Sequence, residues 1–70
     1  MIPAEEIAKL AELYDRFAHA LDPFSEDRDR AEDAFYVKLE YLRCLHAGNA
    51  DLREFRREAV RQCKLFLKKN

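Results

Sequence analysis

The chain has little of what interrupts regular secondary structure. It contains one glycine and two prolines in 70 residues, so only about two breaks between long elements are available. It has no apolar run near the length of about 18 residues that a transmembrane helix needs. The N-terminus lacks the basic start and the apolar stretch of a signal peptide. We therefore expect a few long helices in a cytoplasmic protein that does not enter a membrane.

Cysteine is also scarce. Cys44 and Cys63 are the only two, which is too few for a disulfide framework. In the cytoplasm we expect two reduced thiols that are buried as small hydrophobic side chains. A bridge between them is the alternative.

Neither sign of charge is in excess overall. The formal net charge is −1, which gives the whole chain no attraction to nucleic acid or anionic lipid. The distribution is uneven, because residues 1–50 carry six Lys/Arg and eleven Asp/Glu, whereas residues 51–70 carry seven and three. A hydrophobic content of 49% with five Phe and three Tyr predicts a folded chain with a basic C-terminal segment.

The first helix is predicted over residues 3–21. Pro3 suits the first helical position, and Asp22-Pro23 ends the helix because the residue before proline disfavours the α conformation. Phe24, in the connection, is expected to plug the end of the core. The buried face is predicted from the i, i+3, i+4 spacing to be Ile7, Leu10, Ala11, Tyr14, Phe17, Ala18 and Leu21.

The second helix is predicted over residues 26–47, with Ser25 as its N-cap and Gly48 just after its end. It carries two apolar seams. The first seam is Ala31, Phe35, Leu42 and Leu45, interrupted at Lys38, and the second seam is Ala34, Val37, Tyr41 and Cys44. Because these seams cover more than half of the helix, it needs neighbours on two sides. We therefore predict that the second helix is the central one.

The third helix is predicted over residues 51–68, with Asp51 favoured over Asn49 as its cap. Its predicted buried face is Leu52, Phe55, Ala59, Cys63 and Phe66. A basic stripe follows an adjoining face and consists of Arg53, Arg57, Arg61, Lys64 and Lys68. The stripe is the sharpest local feature of the sequence.

These elements predict an all-α fold for a single domain over residues 1–70. Short connections favour antiparallel neighbours, so we expect an up-down-up three-helix bundle. The expected core residues are Phe17, Phe35, Leu42, Phe55, Ala59 and Phe66.

Catalytic and metal chemistry find no support in the sequence. Cys44 and His46 lie two apart on a helix and point about 160° from each other, so they do not chelate one ion. Residues 25–33 lack the ligand positions and the glycine of a calcium loop. No orienting group stands beside a nucleophile. We expect no enzyme activity, no metal and no cofactor.

The basic stripe leaves three interpretations. It is the partner-binding face of a small interaction or regulatory module, with an acidic protein surface as the partner. Alternatively, the third helix contacts nucleic-acid phosphates, although Glu54 and Glu58 interrupt the charge. It is otherwise a solvated face that the acidic start of the second helix partly neutralises. A monomer and a homodimer that shares a face of the second helix both stay open.

Overall fold

The computed structural model describes residues 2–48 and 51–69, and it contains three α-helices. They are α1 (Ala4–Ala18), α2 (Glu26–His46) and α3 (Leu52–Lys69). No strand occurs in these two ranges. The predicted all-α three-helix bundle is confirmed.

Local capping signals set most of the helix ends. Ser25 Oγ accepts a hydrogen bond from the Arg28 N–H at 3.1 Å, and Asp51 Oδ1 accepts one from the Glu54 N–H at 3.1 Å. Gly48 adopts a φ of +55°, which glycine reaches without strain, and its N–H donates to the Arg43 carbonyl at 2.9 Å. The predicted caps of α2 and α3 are therefore present, and Asn49, the alternative cap, lies outside the described residues.

The end of α1 differs from the prediction. The helix stops at Ala18, and the His19 N–H donates to the Asp15 carbonyl at 3.1 Å as the last turn closes. Asp22 Oδ1 then accepts the Phe24 N–H at 3.0 Å, a turn typical of Asp. Since the chain has left helical spacing, Leu21 is fully exposed and Phe24 is 90% exposed.

The predicted burial of Leu21 and Phe24 was wrong, and Ala18, also predicted to be buried, is exposed as well. The last turn of the predicted helix is absent, so nothing holds these side chains against the bundle. The connection between α1 and α2 therefore carries two exposed apolar side chains instead of a plug.

The core draws on all three helices. Its fully buried cluster consists of Leu10, Ala11, Phe35, Leu39, Leu42, Ala59 and Cys63. Three other predicted core residues, Phe17, Phe55 and Phe66, are half-buried and pack against this cluster. Phe17 meets Phe35 edge to face, with ring centroids 5.3 Å apart, a favourable arrangement of aromatic quadrupoles.

The central position belongs to α1, because α1 packs extensively against both other helices while α2 and α3 contact each other little. The prediction of a central second helix was wrong. The buried seam of α2 is Ala31, Phe35, Leu39 and Leu42, here called the inner seam. The second seam is exposed to solvent, so only one of the two apolar faces of α2 is used within the described residues.

Leu39 explains the shift of the buried seam. The predicted first seam is interrupted at Lys38 and does not include Leu39, although Leu39 is fully buried. Leu39 completes the seam one position later at spacings of four and three from Phe35 and Leu42. Leu45 then falls off this line, and it is 58% exposed.

Candidate protein-interaction surface

The helix α3 presents the basic stripe. The spacings of four, four, three and four residues put its members on one face. All five side chains are exposed, while Ala59 and Cys63 are fully buried on the other side of the helix. The packing of these two small residues thus fixes the rotation of α3 that turns the stripe outward.

One member of the stripe is held by its own helix. Arg61 forms a two-pronged ion pair with Glu58, and its Nε lies 3.0 Å from Glu58 Oε2. The hydrogen bonds from Arg61 and then from Gln62 lower the pKa of the Glu58 carboxyl to about 2. Arg61 is therefore already engaged and is less available to a partner.

The other four members of the stripe have no such engagement. Among the described residues, none of them forms an ion pair. These four are Arg53, Arg57, Lys64 and Lys68. They lie exposed on the surface of α3 without an ion-pair partner in residues 2–48 and 51–69.

The acidic start of α2 forms its ion pairs within α2. Arg28 pairs with Asp29 at 3.2 Å and with Glu32 at 3.1 Å, and Arg30 pairs with Glu26 at 3.6 Å. Three of the five carboxylates of this segment, those of Glu26, Asp29 and Glu32, are thus paired with arginines of the same helix. In the described part of the chain, no ion pair joins them to α3.

A groove of about 430 Å³ lies between α2 and α3 and borders the stripe. It is lined by Tyr36, Arg56, Arg57, Val60, Arg61 and Lys64. Tyr36 and Val60 contribute apolar lining to the groove, and its other lining residues are cations. The arrangement suits a ligand that offers carboxylates around a small apolar group.

Arg56 connects the two walls of the groove, and the sequence prediction did not single it out. Its guanidinium carbon lies 4.9 Å from the ring centroid of Tyr36, within the range of a cation–π contact. The spacing does place Arg56 on the same helix face as Arg53 and Val60, since it comes three residues after Arg53 and four before Val60. The contact with Tyr36 is between helices, so no local pattern predicts it.

The second seam forms another exposed surface on α2. Val37 is 71% exposed and Tyr41 is 61% exposed. Cys44 is exposed too, so its predicted burial was wrong. Cys63 is buried as predicted, and burial raises the pKa of its thiol to about 11.

Other kinds of site find no geometric support in residues 2–48 and 51–69. No group of three or more His, Cys, Asp or Glu side chains converges there as a metal site would require. None of the helices in these ranges has the length and the apolar character needed to cross a bilayer. No protein-family model, curated protein sequence or solved structure matches the chain. The stripe, the groove and the second seam are the surfaces of the described residues that suit binding.

Proposed function

We propose that this chain is a small, non-enzymatic protein-interaction module of the cytoplasm, and that it binds an acidic segment of a partner protein. The observation that carries the proposal is the row of unpaired cations on α3. Four of them have no ion pair within the described residues, and two of these four line the groove over Tyr36 and Val60.

Unpaired surface cations favour binding because no internal ion pair has to break first. Carboxylates of the partner would attract Arg57 and Lys64 from a distance and so raise the association rate and orient the encounter. An apolar side chain placed over Tyr36 and Val60 would then add hydrophobic burial. The expected ligand is an amphipathic segment with carboxylates one helical turn apart and an apolar residue between them.

A synthetic amphipathic helical peptide, with glutamates at i and i+4 around one leucine, serves as the probe. Fluorescence anisotropy measures its affinity for the full chain at low and at physiological salt. The double variant Arg57→Glu/Lys64→Glu should bind about 10-fold more weakly or worse, because two attractive contacts become repulsive. Unchanged affinity would show that the stripe does not bind the peptide.

The matched control is Arg16→Glu/Lys69→Glu, which makes the same change in net charge at exposed positions outside the stripe. It should change the affinity for the peptide by less than about 2-fold, since only long-range and screened interactions differ. An equal loss in both double variants would show that net charge alone drives the binding.

Nucleic acid remains the second candidate, because the same unpaired cations suit phosphates. A DNA duplex should then bind with an affinity that falls by roughly one log–log slope unit in salt for each phosphate contact. We expect no complex with a short random-sequence duplex at low ionic strength, because residues 1–50 carry a net charge of −5. Binding of the duplex without binding of the peptide would overturn the proposal.

A further inference from the structure

We propose that the second seam of α2 pairs with the second seam of another copy of this chain, with the two helices antiparallel, in a weak homodimer. This proposal does not depend on the acidic partner or on the stripe. It concerns the exposed apolar face of α2 that contains Val37 and Tyr41.

The helix α2 has two apolar faces, and the bundle covers only one of them within the described residues. The inner seam is closed by the bundle, with Phe35, Leu39 and Leu42 at 0–1% exposure. The second seam is open, with Val37 at 71% and Tyr41 at 61%. A helix that is apolar over two faces is stable when both are covered. Within the described residues, only one face is covered.

The spacing of residues within the second seam suits packing against another helix. Ala34, Val37, Tyr41 and Cys44 follow one another at three, four and three residues, which is the repeat that two packed helices share along a contact line. Two antiparallel copies that meet around a two-fold axis midway between Val37 and Tyr41 would set Val37 opposite Tyr41 and Ala34 opposite Cys44 of the second copy. The seam is therefore complementary to itself, as a closed two-fold dimer requires.

The distribution of charge selects the antiparallel orientation. Residues 26–33 of α2 contain five acidic residues and two arginines. A parallel pair would bring two such segments side by side, which costs electrostatic repulsion, and would also align the two helix dipoles. An antiparallel pair centred midway between Val37 and Tyr41 keeps the acidic segments at opposite ends. The apolar halves then overlap.

The size of the surface sets the expected strength. A stable interface buries about 800 Å² on each partner, which is about 15% of the 5305 Å² surface of this chain. The apolar stretch from Ala34 to Leu45 is about 17 Å long at 1.5 Å per residue. It offers one helix face with three large exposed apolar side chains, Val37, Tyr41 and Leu45. One such face is smaller than a standard interface, so we expect weak association with a dissociation constant in the micromolar range.

Sedimentation velocity of the full chain from about 5 to 500 µM brackets that range. The wild type should pass from monomer to dimer with rising concentration. The variant Val37→Glu/Tyr41→Glu should stay monomeric with unchanged helical circular dichroism, because both side chains are exposed in the single chain. A wild type that stays monomeric at the highest concentration, or a variant that dimerises as well, would overturn the proposal.

Leu65→Glu provides the matched control. It also places a glutamate at an exposed leucine, 42% exposed on α3, away from the second seam. This variant should dimerise like the wild type. The stripe variant Arg57→Glu/Lys64→Glu should dimerise as well, so failure of the dimer and failure of the acidic partner are separate outcomes.

Disulfide trapping tests the orientation. Two chains of different mass, Val37→Cys and Tyr41→Cys, each in a Cys44→Ser background, are mixed and oxidised with copper phenanthroline. The buried Cys63 stays out of the reaction. An antiparallel dimer should give the mixed disulfide between the two chains, since only these positions come within the Cα separation of about 7 Å that a disulfide permits. Disulfides only between identical chains would overturn the antiparallel arrangement.

Discussion

The two apolar seams of α2 have similar residue types and opposite surroundings. The inner seam buries Phe35 and Leu39 completely, while the second seam leaves Val37 71% and Tyr41 61% exposed. Hydropathy alone does not separate the two faces, since both offer large apolar side chains at helical spacing. Which face of α2 is buried is therefore decided by the neighbouring helix rather than by the apolar character of the residues on that face.

The helix α1 selects the inner seam through matched packing. Leu10 and Ala11 are fully buried, and the ring of Tyr14 lies 5.9 Å from that of Phe35. At the edge of this contact, Lys38 Nζ lies 2.8 Å from Glu6 Oε2. Lys38 thus marks the boundary between the two seams, with its charge paired across the helices.

The largest expected effect comes from truncation of the inner seam. Phe35→Ala should cost about 3–5 kcal/mol of unfolding free energy, because it removes a fully buried ring from a core that cannot collapse around the gap. Val37→Ala in the second seam should cost less than about 0.5 kcal/mol. Urea denaturation at low protein concentration measures both. Equal losses would show that the two seams do not differ in burial.

The two cysteines extend the comparison to reactivity. Cys44 lies exposed in the second seam and Cys63 lies buried with a pKa of about 11. Iodoacetamide should label Cys44 at least about 100-fold faster at pH 8, since attack requires an accessible thiolate. In urea the two rates should converge. Peptide mapping by mass spectrometry follows both sites, and fast native labelling of Cys63 would contradict the described core.

The N-cap of α2 should contribute less than its core residues. Ser25→Ala removes the acceptor of the Arg28 N–H and should lower the unfolding free energy by about 1 kcal/mol. Ser25→Asp keeps an acceptor at the same position and is the control. If both variants lost the same stability, the cap hydrogen bond would not be the cause.

The smallest expected effect is a dependence on pH from the Glu6–Lys38 pair. The hydrogen bond from Lys38 lowers the pKa of the Glu6 carboxyl below its ordinary 4.5. The stabilisation is therefore present above the ordinary pKa and is lost as the pH falls through the lowered value. Titration of the Glu6 carboxyl by NMR should show this shift, and Lys38→Met should bring the pKa back towards 4.5. A pKa that does not respond to Lys38→Met would remove the pair as the cause.

Local signals made much of this fold predictable. Ser25, Asp51 and Gly48 act through hydrogen bonds to residues at most five positions away, so the sequence around each of them is sufficient. Periodicity also placed the stripe outward and Ala59 inward.

The remainder depended on contacts between helices. The choice of seam on α2 and the contact of Arg56 with Tyr36 are each decided by residues distant in the sequence. The pairing of Arg61 with Glu58 was within reach, since the two lie three apart on one helix. The role of the stripe in binding stays a prediction.

The claim that α2 buries one apolar face and exposes the other can be tested by solvent paramagnetic relaxation of the methyl groups. It is measured with a soluble gadolinium chelate at low protein concentration. We expect strong enhancement for Val37 and Leu45 and protection for Leu39 and Leu42, in line with their exposures of 71%, 58%, 0% and 1%. Equal protection of all four methyl-bearing residues, or the reverse order, would contradict it.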